Sequence, residues 1–141
     1  MQKLKLANGA FVENVQEIND YEDRDILNQD FRKVLNITVA NTDYTTIRNS
    51  FSDPENLTSI EIYRLTDIVV GTDETTNGPI VEQQYLQEGL QNNFTILNRI
   101  SANIQKGTFT VQLHQKSMLE QRLEETQLAI AELGTILGGT V

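Results

Sequence analysis

The sequence predicts an α+β fold: a mainly antiparallel β domain with one short helix and a C-terminal amphipathic helix. Stretches in which apolar and polar residues alternate, the pattern of half-buried strands, recur as far as Gln115. Two Asn-Gly pairs, at Asn8 and Asn77, favour tight turns. The last stretch instead contains strong helix formers with apolar residues three and four positions apart. We therefore divide the chain into a strand-rich domain, 1–115, and a C-terminal amphipathic helix, 116–141.

Length and composition narrow the class of protein. The 141 residues fit one domain, and the absence of cysteine excludes disulfides, thiol nucleophiles and thiolate metal sites. A formal net charge of −9 with scattered basic residues argues against nucleic-acid binding, which needs clustered Lys and Arg. No apolar run approaches the ~20 residues of a membrane span, and the N-terminus does not resemble a signal peptide. We expect a chain made in the cytoplasm, with no membrane partner.

The first 40 residues predict a hairpin, a loop and a strand. Lys3 to Val15 alternates around the Asn8-Gly9 turn. The polar and acidic stretch from Asn19 to Asp30 predicts a surface loop, and Phe31 to Ala40 predicts a strand. The inward face of that strand is predicted to contain Phe31, Leu35, Ile37 and Val39.

A short helix follows. Tyr44, Ile47 and Phe51 form one apolar stripe at helical spacing, Thr42-Asp43 precede it as caps, and Asp53-Pro54 end it. The alternating stretch from Thr58 to Arg64 then predicts another strand.

The segment from Thr66 to Tyr85 predicts a mobile hairpin. Its arms are Thr66–Val70 and Ile80–Tyr85, and the loop Gly71–Pro79 joins them. The polar stretch Gln83–Asn93 has no clear assignment.

Two further strands precede the last helix. They are predicted at Phe94–Ile104 and Thr108–Gln115, with a turn at Lys106-Gly107. In the second of these, the predicted inward residues are Phe109, Val111 and Leu113, and the predicted outward residues are Thr110, Gln112 and His114.

The C-terminal helix has a heptad seam, meaning a row of positions that step by 4, 3, 4, 3 and 4 as in a coiled coil. Ser117 is the predicted N-cap, with Glu120 as its capping-box partner, and Gly138-Gly139 is the predicted stop. The seam positions are Leu119, Leu123, Thr126, Ile130, Leu133 and Leu137; Leu128, Ala129 and Ile136 are predicted to widen the apolar face. Such a helix either covers its own sheet or associates with another chain, and the strict seam favours association.

A search for chemistry finds no catalytic constellation. His114 is the single histidine and is predicted to be a surface residue, and no glycine-rich phosphate loop is present. The acidic cluster Asp20, Glu22, Asp23 and Asp25 lacks the spacing of an EF-hand loop and fits a solvated loop better. We therefore expect no enzyme, no cofactor, no bound metal and no small-molecule substrate.

The order of these elements resembles a family of small tail-region proteins of bacteriophages and prophages of Gram-positive bacteria. The resemblance rests on the opening hairpin Lys3-Leu4-Lys5-Leu6-Ala7-Asn8-Gly9, the strand Val34–Val39, the Tyr44–Phe51 helix with its Asp53-Pro54 exit, and the Ile60-Ile62 strand. It ends with a strand that leads directly into the helix from Met118 to Leu133. The acidic stretch near Asp20 and the segment from Gly71 to Gln91 have no counterpart in the family.

The resemblance implies a virion structural protein of the tail, baseplate or fibre-attachment region, without enzymatic activity. It implies other phage tail proteins and copies of the chain itself as partners, and a location in the virion tail after synthesis in the bacterial host cytoplasm. An alternative is a soluble phage-encoded binding module or inhibitor of a host protein, which would need its negative charge on one rigid face.

Overall fold

The computed structural model describes the backbone of residues 1–138 and the side chains of residues 1–135. The strands are β1 Gln2–Lys5, β2 Phe11–Asp25, β3 Asp30–Ala40, β4 Ser59–Thr72, β5 Pro79–Asn92, β6 Ile96–Asn103 and β7 Thr108–His114; the helices are α1 Tyr44–Phe51, a 3-10 helix Pro54–Leu57 and α2 Met118–Gly138. The strands form one antiparallel sheet in the order β5-β4-β1-β2-β3-β7-β6. The predicted α+β class is confirmed.

The opening hairpin places β1 in the middle of the sheet. Gly9 takes a φ of +87°, which glycine adopts without a steric penalty, and the Asn8 side chain accepts a hydrogen bond from the Ala10 N–H at 3.0 Å. β1 pairs with β2 on one side and with β4 on the other, so Leu4 lies between Val12 and Ile62. All three side chains are buried, as the alternation predicts.

One face of the sheet carries the hydrophobic core, and α1 packs on it. Asp43 caps α1 by accepting from the Thr46 N–H at 2.8 Å, which confirms the predicted start. Ile47 and Phe51 point into the core, whereas Tyr44 is half exposed. The core cluster joins these two to sheet residues that include Leu4, Val15, Leu35, Ile37, Ile60, Val111 and Leu113, and to Leu57 of the 3-10 helix.

The acidic stretch from Asn19 to Asp30 is not a loop, so that prediction is wrong. β2 continues to Asp25 and pairs residue by residue with β3, and the turn between them occupies only residues 26–29. Asp25 closes the turn by accepting from the Asn28 N–H at 3.2 Å. A hairpin that is solvated on both faces needs no apolar alternation, because backbone hydrogen bonds to its partner strand hold it. Composition therefore misassigned this segment.

The prediction that Gln112 faces solvent is also wrong, since its side chain is buried at 6% exposure. It accepts a hydrogen bond from Asn98 Nδ2 at 2.6 Å and donates one to the Tyr21 hydroxyl at 3.3 Å. Gln112 lies in β7, which has a strand on each side, so neighbouring side chains cover it even on the face away from α1. Phe31, which was predicted to face inward, is instead 38% exposed, because it lies near the β2–β3 turn.

Two hairpins extend from the same end of the sheet. Gln2 of β1 pairs with Val15 and with Arg64, and beyond this rung β2 runs on to Asp25 while β4 runs on to Thr72. We call residues 16–33, the outer part of β2 and β3, the acidic arm. Residues 65–86, the outer part of β4 and β5, are the apolar arm. The predicted hairpin around Gly71–Pro79 is thus confirmed and is longer than expected, because all of the unassigned Gln83–Asn93 stretch except Asn93 belongs to β5.

Candidate assembly surface

The first turn of α2 ties the helix to β3. Ser117, 1% exposed, accepts from the Glu120 N–H at 3.2 Å, which confirms the predicted N-cap. Asp30 at the start of β3 accepts from the Leu119 N–H at 3.0 Å, and Arg32 forms a 3.1 Å salt bridge with Glu120. The hydrogen bond from Leu119 is the main reason that the pKa of Asp30 is lowered. The Ser117 hydroxyl and the Asp30 carboxylate thus accept hydrogen bonds from two of the backbone N–H groups that the start of a helix leaves without a partner.

Beyond this turn, the described part of α2 lies in solvent. Every described side chain from Leu119 to Thr135 is exposed. The four large described residues of the predicted seam are exposed to 44% at Leu119, 58% at Leu123, 65% at Ile130 and 56% at Leu133. The helix therefore does not cover its own sheet, which was one of the two explanations for its amphipathic pattern.

The two remaining seam positions are the polar residue Thr126 and Leu137. Thr126 is exposed, and its hydroxyl donates to the Arg122 carbonyl at 2.9 Å, so it lies on the seam without an unpaired donor. The side chain of Leu137 lies outside the described side chains, as does that of Ile136. Gly138 is the last residue of α2, and Gly139 of the predicted stop lies outside the described residues.

Leu128 does not widen the seam, contrary to the prediction. It follows Leu119 by nine positions, which is about two and a half turns at ~3.6 residues per turn, so it lies on the opposite side of the helix. Its side chain is 64% exposed. The described part of the seam is therefore a narrow stripe, which is the geometry of a helix pair or small bundle more than of a helix on a broad sheet.

The apolar arm is a second exposed surface that the sequence did not single out. Val69 is 64% exposed, and its cross-strand partner Val81 is 53% exposed. Val70 and Ile80 beside them are also about half exposed. The sequence signal was present as two short apolar runs on either side of the Gly71–Pro79 loop, but nothing local distinguishes an exposed β arm from a buried strand.

The acidic cluster is divided by the strand that carries it. Because side chains alternate along β2, Asp20 and Glu22 lie on one face and Asp23 and Asp25 on the other. Within the part of the chain that the structure describes, no group of three or more His, Asp or Glu residues is arranged to hold a metal ion.

His114 is half-buried beside the start of α2, not on the open surface as predicted. Its Nδ1 lies 3.5 Å from Nη1 of Arg32, the residue that also bonds Glu120. Burial and then the Arg32 charge lower the pKa of His114 below its ordinary value. The contact places the His114 ring beside the guanidinium that bonds Glu120 in the first turn of α2.

Among the described residues, no helix is long and apolar enough to cross a membrane. Comparisons of the chain with protein-family models, with curated proteins and with solved structures found no match.

Proposed function

We propose that this protein is a bacteriophage virion structural protein, a tail, baseplate or fibre-attachment component without catalytic activity. It assembles through the seam of α2 with copies of itself or with neighbouring tail proteins. The observation that carries the proposal is the exposed apolar stripe on a helix whose described side chains from Leu119 to Thr135 are all exposed. The resemblance of the element order to phage tail-region proteins supplies the setting.

The energy of this contact suits a crowded particle. Complete burial of a large aliphatic side chain gains about 1.5–3 kcal/mol. The large side chains of the seam are already about half buried, so association gains only about half of this value for each of them. Two helices with four such residues each thus gain on the order of 6–12 kcal/mol. The loss of translational and rotational freedom costs roughly 4–15 kcal/mol at the 1 M standard state. Association through the seam is therefore expected to be weak in dilute solution and favourable at the high local concentration of a virion.

A charge placed on the seam tests the proposal. The double variant Leu123→Asp/Ile130→Asp puts two carboxylates on the stripe. The matched control, Leu128→Asp, adds a carboxylate to an equally exposed leucine on the opposite side of α2. Sedimentation equilibrium over a range of concentrations and incorporation into assembled particles are measured for each. We expect the double variant to stay monomeric and to be lost from particles, while the control behaves as the wild type. Incorporation of the double variant at the wild-type level would refute the assembly role of the seam.

The acidic arm favours one second candidate, a soluble module that binds or inhibits a host protein. Within residues 16–33, the carboxylates outnumber the three basic side chains of Arg24, Arg32 and Lys33, although alternation along β2 divides its carboxylates between the two faces; they belong to Glu17, Asp20, Glu22, Asp23, Asp25 and Asp30. Detection of the chain in purified virions supports the structural role, whereas its recovery with one defined host protein and not in virions supports the second.

A further inference from the structure

The two arms leave room for one more strand between them. β2 and β4 flank β1 in the sheet, and β1 ends at Gln2 while both neighbours continue past it. At that end the two strands are two strand spacings apart, about 9.5 Å, which is the width of a single inserted strand. A cleft of about 350 Å³ lies at the base of this gap, where Met1, Gln2 and Arg64 meet Val15 and Gln16, and it extends across β2 to Ala40 and Asn41.

The apolar arm presents unused hydrogen-bonding groups to this gap. The Leu65 N–H donates to the Met1 carbonyl at 3.0 Å, which is the last rung between β4 and β1. Because the direction of N–H groups alternates along a strand, those of Asp67 and Val69 point the same way, and those of Thr66 and Ile68 point toward β5. No strand of the described chain pairs with Asp67 or Val69 on this inner side. We call this row of groups the inner edge of β4.

The side chains around the gap define what fits it. The acidic arm contributes an excess of carboxylates, while Ile68, Val69 and Val70 make the facing part of β4 largely aliphatic. The strand that already lies between β2 and β4 has this alternating pattern: in β1, which reads Gln2-Lys3-Leu4-Lys5, Leu4 is buried and Lys3 lies over the rings of Phe11 and Tyr85. A segment in line with β1 meets the same two strands, so basic and aliphatic side chains in alternation satisfy both the charge and the apolar surface.

We propose that the two arms bind an extended segment of another polypeptide, in which Lys or Arg alternates with aliphatic residues, as a strand antiparallel to β2 and β4. Its backbone pairs with the inner edge of β4, in the manner of strand addition to an unpaired sheet edge. This surface is separate from the α2 seam and does not depend on the virion hypothesis.

A synthetic peptide, acetyl-Lys-Leu-Lys-Leu-Lys-Leu-Lys-amide with a fluorescent label, tests the proposal on the full chain. Anisotropy measures its binding, and NMR hydrogen exchange follows the Asp67 and Val69 amides. We expect saturable binding and at least tenfold slower exchange at these two amides. The matched control is the same peptide N-methylated at alternate backbone amides, which keeps charge and side chains but cannot pair, and it should not bind. Equal binding of both peptides, or binding without protection of the two amides, would overturn the proposal.

Two variants at one position separate pairing from charge. Asp67→Pro removes the inward N–H while leaving the outward rungs at Thr66 and Ile68, and it should weaken peptide binding at least tenfold. Asp67→Asn keeps the N–H and should weaken binding only about twofold. Equal loss in both would contradict strand pairing.

An N-terminal fusion avoids reliance on a variant that disturbs the arm. Lys-Leu-Lys-Leu-Lys-Leu placed before Met1 of the wild-type chain should enter the gap, raise the Tm and protect Asp67 and Val69, whereas Glu-Leu-Glu-Leu-Glu-Leu should do neither. An unchanged Tm with unprotected amides in the first fusion would refute the proposal. Protection that rises with protein concentration in the absence of peptide would show that a second copy fills the gap and would equally overturn it.

Discussion

Truncation of Phe51 to alanine should cost far more than its position in a short helix suggests. Phe51 ends α1 at 0% exposure and belongs to the core cluster that joins α1 to the sheet. A buried Phe→Ala change costs about 3–5 kcal/mol, because transfer free energy is lost and a cavity remains. For a domain of this length, ~3–4 °C per kcal/mol translates that cost into a fall in Tm of roughly 10–20 °C.

Tyr44 provides the matched control within the same helix. It lies on the same predicted stripe as Phe51 but is 50% exposed, so Tyr44→Ala should cost less than about 1 kcal/mol. Urea unfolding followed by far-UV circular dichroism, with the slope compared between variants, measures both changes in the free energy of unfolding. If Tyr44→Ala and Phe51→Ala proved equally costly, α1 would not be packed on the sheet as described.

Three further results are expected. Because burial and Arg32 hold the pKa of His114 below its ordinary 6.5, the unfolded chain binds more protons as the pH falls below 6.5. The wild type should therefore lose stability from that pH down to the folded pKa, and His114→Gln should abolish this part of the loss in urea midpoints measured at pH 7.5 and 5. Gly134 lies in α2, and a Cβ added there would have no atom within 4 Å. Gly134→Ala should therefore increase the helical circular-dichroism signal at 222 nm and favour the helix by up to ~1 kcal/mol. The control Gly107→Ala should instead destabilise the chain, because Gly107 has a φ of +63°. Removal of all residues after Gln121 should change the Tm by no more than about 2 °C, because the described side chains beyond it are exposed; a larger fall would show that α2 supports the sheet.

Local sequence patterns predicted the strands and the helix that have one buried face and one solvent-exposed face. Alternation located β1, β3 and β7, and the stripe with its Asp43 cap located α1, because burial of one face imposes a period on the sequence. The same reasoning failed at Asn19–Asp30 and Gln83–Asn93. Residues 19–25 and 83–92 of these segments lie in strands that are mostly solvated on both faces, where backbone pairing alone defines the strand and leaves no hydrophobic period.

The heptad spacing of α2 was likewise determined by the sequence, including the capping by Ser117 and the seam from Leu119 to Leu133. Whether that seam lies on the sheet or in solvent is not a property of the helix, since an apolar stripe suits either partner. The tertiary structure decided it: Asp30 and Arg32 hold the first turn of α2, and the described side chains beyond that turn are exposed. The two arms and the gap between them also arise only in the assembled sheet, where a four-residue β1 lies between strands of 15 and 14 residues that continue past it.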